Sequence, residues 1–154
     1  MVVRSAAEQN LNAHTMQFQI RSYNPKNQVP PHSFFDLSKG LNSGKPLFAP
    51  CPNCFVVTTK DEEVKEFVYW LIYGLWQSRA FYVFHTGSVI PFIRIDEFRS
   101  FVLEKFRQAR QEDEKHSQVI KALRSLEDRE KQYMQNITLI QEAKRAIFYR
   151  YMKK

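Results

Sequence analysis

At 154 residues, with 44% hydrophobic and 14% aromatic side chains, the chain suits one domain or one domain with a helical extension, and its composition excludes intrinsic disorder as the default. The formal net charge is +7; ten Lys/Arg stand against eight Asp/Glu before Phe101 and thirteen against eight after it, so the cationic excess lies toward the C-terminus, where it can attract a polyanion or keep a rod soluble. No run of eighteen apolar residues occurs and the N-terminus lacks the basic-then-apolar order of a signal peptide, which predicts a cytoplasmic protein without a membrane span.

In chain order, Met1 to Val3 opens with a strand-like pair and no leading turn, as though an earlier portion of a domain were missing. Met16-Gln-Phe-Gln-Ile20 alternates apolar with polar, the pattern of a half-buried strand. From Ser22 to Pro52 the repeated Pro and Gly forbid long regular elements, yet Phe34, Phe35, Leu37 and Leu47 must enter a core. Cys51-Pro-Asn-Cys54 is a lone CxxC that supplies half a zinc site with no second half, and it opens a strand rather than a helix, which disfavours a redox role. Phe55-Val-Val-Thr-Thr59 is strongly β-prone. Thr59 with Glu62 fits a capping box, and a core helix is predicted from about Asp61 to Phe81, with Val64, Phe67, Val68, Leu71, Ile72, Leu75 and Trp76 on one face. A turn at His85 to Ser88 follows, then a strand over Val89 to Ile95 whose Pro91 implies an edge or bulge. Asp96 caps a short helical turn into Phe101, and Glu104 to Ser117 reads as a polar joining segment.

The last third is the strongest signal. Steps of four and three from Val119 pass through Leu123, Leu126, Glu130, Tyr133, Ile137, Ile140, Lys144, Ile147 and Tyr151, so eight of ten stripe positions are apolar or aromatic. This period of about 3.5 residues predicts one uninterrupted helix of coiled-coil type. Val119 to Tyr151 would make a rod of about 50 Å, longer than its own domain is wide. Its stripe therefore calls for a second long helix, from another copy or a different protein. The reading is α+β: a small mixed recognition domain with a core helix over residues 1–103, and a long helical spacer or dimerisation extension over 104–154.

The order of these elements resembles the specificity subunit of type I restriction-modification systems. The resemblance is carried by the β-prone run ending near Thr59, the aromatic helix after it, Thr86-Gly87-Ser88-x-x-Pro91-x-Ile93, and the terminal helix. Within that helix, His116-Ser-Gln118-Val-Ile-Lys-Ala-Leu123 is similar to the family's opening pattern and Leu139-Ile-Gln-Glu-Ala-Lys-Arg-Ala-Ile147-Phe to its closing one. The match runs from about Val2 to the C-terminus. It implies a non-catalytic subunit, partial or half-length, holding the late part of one target-recognition domain and one spacer helix that pairs with a counterpart. It implies as partners double-stranded DNA and the methylation and restriction subunits, with no cofactor of its own. The family's Pro-rich segment before the spacer has Ser100 to Arg110 in its place.

If the domain reads DNA, long polar side chains on loops are the candidates for base and phosphate contact: Asn24, Lys26, Asn27, Lys39, Asn42, Lys45, His85 and Ser88. Each could equally be a solvated loop residue, and Arg79 and Arg94 read as structural or phosphate-facing. The stripe residues Val119, Leu123, Leu126, Tyr133, Ile137, Ile140, Ile147 and Tyr151 form the expected partner interface. No GxSxG, P-loop or HExxH pattern occurs and His14, His32, His85 and His116 lack metal spacing, so the chain does not read as an enzyme. The alternative function is a helix-mediated interaction protein without DNA binding.

Overall fold

The computed structural model describes residues 17–153, so the strand-like pair at Met1 to Val3, along with Met16, lies outside the described residues. The described chain is α+β: strands β1 (Phe18–Ser22), β2 (Ser33–Leu37), β3 (Pro46–Leu47) and β4 (Cys54–Thr59), then helices α1 (Glu62–Gln77), α2 (Ile95–Gln111) and α3 (Asp113–Met152). It divides into two compact units, one ending at Asp113 and one beginning at Glu114.

The β-prone run becomes the centre of the sheet. The strand order is β1-β4-β2-β3, and β4 pairs antiparallel with both neighbours, Ile20 facing Val57 on one side and Phe34 facing Val57 on the other. Strands β1 and β2 thus run in the same direction, and both finish where β4 begins. Alternation sends Phe18, Ile20, Phe34, Phe55 and Val57 to the helix side, while Phe35, Cys54 and Val56 face a smaller cluster closed by Leu47 of β3 and by Tyr23 and Cys51 from loops.

Helix α1 lies on the main face and buries Val64, Phe67, Val68, Ile72 and Tyr73. Full burial of such side chains contributes roughly 1.5–3 kcal/mol each. Its N-cap is Asp61, whose Oδ1 accepts the Val64 amide at 2.9 Å, rather than the expected Thr59 capping box. As the last residue of β4, Thr59 instead aims its hydroxyl at the carbonyls of His32 and Asp61, 2.9 and 3.0 Å away. The helix stops at Gln77, four residues short of the expected end, because Arg79 takes the left-handed conformation at φ 60° and turns the chain into a 3-10 segment, Ala80–Phe84. That reversal sends Phe81 back into the core, with its ring centre 5.2 Å from that of Phe98.

Two expectations are corrected after this point. Val89 to Ile95 is not a strand: its only ladder contacts are the single bridges from Phe92 to Lys39 and to Thr86, since Pro91 has no amide to donate. The short turn and the polar joining segment as far as Gln111 are instead one helix, α2, continuous through residue 104, and the rest of that segment, from Asp113, opens α3. Phe98, Val102 and Phe106 recur every fourth residue and are fully buried, which makes α2 a second core helix. Asp96 does not cap it; it lies in the first turn and accepts Arg99 Nη1 at 3.1 Å, while the other end of that guanidinium donates to the Ile20 carbonyl of the edge strand β1 at 2.8 Å.

The second unit holds all of the helix α3 but its first residue; α3 has 40 residues and begins at Asp113, earlier than the stripe alone indicated. At about 1.5 Å per residue it spans roughly 60 Å. No residue of it is buried.

Candidate polyanion-binding sheet end and the bare helix stripe

All eight loop candidates leave from the end of the sheet where β1 and β2 finish and β4 starts. Asn24, Lys26 and Asn27 form the turn immediately after β1, held by the Asn27 amide on the Asn24 carbonyl and the Lys26 amide on Asn24 Oδ1, both at 3.0 Å. Lys39, Asn42 and Lys45 belong to the loop from β2 to β3. His85 and Ser88 belong to the segment between the 3-10 turn and α2. These last two stretches, some forty residues apart, are joined by Ser43 Oγ to His85 Nε2 at 2.9 Å, by the Gly40 amide to the Pro91 carbonyl at 2.7 Å and by the Ile93 amide to the Ser38 carbonyl at 3.0 Å. Gly44, at φ +93°, turns the loop against the ring of Phe81, where a Cβ would overlap it.

The eight do not share one role. Asn24 spends its side-chain carbonyl on its own turn, and His85 is half-buried, bonded to Ser43 and lying against Tyr82 at 4.9 Å, so both brace the loops. Lys45 places its ammonium over Trp76 at 5.1 Å. Lys26, Asn27, Lys39, Asn42 and Ser88 are exposed and available to a ligand.

Charge is unevenly distributed over the domain. Between Gln9 and Lys60 the only carboxylate is the buried Asp36, and none occurs between Glu66 and Asp96, so the loops at this end hold Lys26, Lys39, Lys45, Arg79 and Arg94 with no acidic residue. The acids Asp61, Glu62, Glu63 and Glu66 stand at the opposite end, where β4 runs into α1. Glu62 accepts His32 Nδ1 at 3.1 Å, and that hydrogen bond first, with Lys65 beside it, lowers its pKa. Asp96 and Glu97 follow Arg94 by two and three residues at the start of α2, the former engaged by Arg99. Sequence reasoning missed this segregation, because it appears only once each loop is assigned to a sheet end. It also missed three exposed aliphatic residues in the same loops, Leu41, Val89 and Ile90, and a fourth, Val83, in the adjoining 3-10 segment.

Burial raises the pKa of two groups. Asp36 on β2 is fully buried with neither carboxyl oxygen hydrogen-bonded, and desolvation pushes its pKa well above the ordinary value. Burial likewise raises the Cys54 thiol to about 11; it donates to the Cys51 carbonyl at 3.0 Å, so the CxxC pair is a reduced strand-opening turn. Among the described residues no group of three His, Cys, Asp or Glu side chains is placed to hold a metal ion, and no helix is long and apolar enough to cross a membrane.

On α3, Val119, Leu126, Tyr133, Ile137, Ile140, Ile147 and Tyr151 are each 50–71% exposed, and Leu123 is half-buried. The apolar surface widens toward the C-terminus, where Phe148, Tyr149 and Met152 are also exposed beside Lys144 and Arg145.

Fold and site together define a mixed α+β protein with a cationic sheet end and a long helix whose apolar stripe is bare. The chain belongs to the family of unknown function DUF6943, whose sequence model matches residues 20–150, from within β1 to near the end of α3. Neither a curated protein nor a solved structure matches it.

Proposed function

We propose that this protein is a non-catalytic DNA-binding component that grips the duplex with the cationic sheet end and assembles through the stripe of α3. The observation that carries the reading is the charge segregation: five cations on converging loops with no acid among them, a distribution suited to a phosphate backbone. Lys26, Asn27, Lys39, Asn42 and Ser88 supply the donors and acceptors that meet phosphates and base edges.

The stripe of α3 pairs with a second copy. In a parallel pair Glu130 would meet Glu130 of its counterpart, and Lys144 would meet Lys144, each at a seam position where like charges repel. Antiparallel pairing brings the acidic run Glu127, Asp128, Glu130 toward Lys144 and Arg145 instead. This is the part played by a type I restriction-modification specificity subunit, whose further partners are the methylation and restriction subunits. The bare stripe by itself also favours a second reading, a helix-mediated interaction protein that does not touch DNA.

Fluorescence anisotropy with a labelled duplex separates the two. Contact by four to five cations predicts a log–log salt slope of about −4, a loss of roughly 300-fold between 50 and 200 mM salt. Absence of affinity for any duplex at low salt removes the DNA reading and leaves the interaction protein. Co-expression with a type I methylation subunit tests the finer assignment, which fails if no complex forms.

A further inference from the structure

The segment Thr86–Phe92 is a closed loop with an apolar tip. Thr86 and Phe92 exchange both backbone hydrogen bonds at 2.9 Å, Lys39 bridges to Phe92, and Gly40 holds the Pro91 carbonyl. Gly87 takes φ +100°, and a Cβ there would come 3.0 Å from the Ile90 carbonyl, so the turn is tight as well as tethered. The loop presents Val89, 89% exposed, and Ile90, 53% exposed, with Lys39 on the bridged loop after β2 and Arg94 two residues beyond the closure.

This adjacent, exposed aliphatic pair belongs to neither apolar cluster of the unit. Its surroundings narrow what could cover it. The rim carries Lys39 and Arg94, and the nearby Asp96 is engaged by Arg99, so the surface favours an anionic partner, and the tip asks for an apolar interior reached through a narrow opening. Duplex DNA has that layering, phosphates on either side of the minor groove and the base stack at its floor. A bilayer with anionic headgroups has it too. However, Val89 and Ile90, even with Leu41 added, carry fewer carbons than a single myristoyl chain, which by itself binds membranes only marginally.

We propose that Val89 and Ile90 form a wedge that enters the minor groove, partly unstacks one base step and kinks the duplex, with Lys39 and Arg94 on the flanking phosphates. This rests on the DNA-binding reading above and adds to it the groove and the deformation. The loop is braced before contact, so little ordering remains to be done on binding. The wedge works best at pyrimidine–purine steps, which unstack most readily.

The test uses the full chain and a short duplex rich in TA steps, labelled at both ends, with energy transfer reporting the end-to-end distance and anisotropy reporting affinity. The wild-type chain is expected to shorten the end-to-end distance by a kink of about 20–90°. The double variant Val89→Ser, Ile90→Ser is expected to keep its circular dichroism and its salt slope, bind at least roughly tenfold more weakly, and lose the kink. Lys39→Ala with Arg94→Ala should instead reduce the salt slope by about 2. Binding by the wild-type chain without bending, or bending by the double variant equal to wild type, overturns the wedge while leaving the DNA reading in place. No binding at low salt removes the DNA reading itself. Sedimentation with phosphatidylserine vesicles that depends on Val89 and Ile90, without duplex bending, assigns the tip to a bilayer and overturns the wedge.

Discussion

Replacing Phe106 by Ala tests whether α2 is a core helix beyond the point where the sequence turns polar. The ring is fully buried, with edge-to-face contacts to Phe18 at 5.0 Å and Phe67 at 5.4 Å, and the Arg110 guanidinium lies 5.3 Å from its centre. Truncation of a buried Phe costs about 3–5 kcal/mol, and each aromatic pair is worth roughly 0.5–1.5 kcal/mol beyond its area, so the upper half of that range applies. Against a total stability of about 5–15 kcal/mol this is a large fraction. Urea unfolding followed by the fluorescence of Trp70 and Trp76, both on α1, should show the midpoint fall by about 2 M at a typical slope. Glu104→Ala, on the exposed side of the same helix, is the control and should stay within about 0.5 kcal/mol of wild type. A Phe106→Ala midpoint no lower than the control's would refute the placement of α2 against the sheet.

Gly44→Ala should destabilise more than Gly40→Ala: both sit at positive φ, costing about 1–2 kcal/mol, but only at Gly44 does the added Cβ overlap the Phe81 ring, adding about 1–3 kcal/mol. Equal thermal shifts for the two would contradict that contact. Burial raises the Asp36 pKa above its ordinary 3.8, so the folded state keeps a proton that the unfolded chain releases. Stability from this group is therefore full below the ordinary value and is lost as pH rises toward the raised one. Asp36→Asn cannot titrate, and the stability of wild type relative to it should fall through that window; a difference constant from acid to neutral pH would dismiss the assignment. The Glu62 carboxyl, lowered by His32, should titrate closer to its ordinary value in His32→Ala when followed by NMR, and an unchanged titration would show the contact to be idle. Ile137→Asp, at an exposed stripe position, should abolish self-association in light scattering without changing the unfolding of the first unit, whereas an undiminished oligomer would remove the stripe as the assembly surface.

The legible parts of this protein were those whose signal lies in consecutive residues. Phe55 to Thr59 announces a strand, Val64 to Trp76 an amphipathic helix, and the stripe from Val119 to Tyr151 a long one, because local backbone geometry repeats every two or 3.6 residues and burial follows that repeat. The reach of α2 was hidden because Glu104, Lys105, Arg107, Gln108 and Arg110 outnumber the one inward residue per turn. The loop candidates were recognisable one by one as polar residues among turns, but their convergence was not. It depends on β1 and β2 flanking β4 in the same direction and on hydrogen bonds such as that from Ser43 to His85, between residues 42 positions apart. Sequence order carries no record of which sheet end such a loop will leave from. That is set when the hydrophobic faces of β4, α1 and α2 close on one another, and the cationic end and the braced Val89–Ile90 tip come into being with that closure.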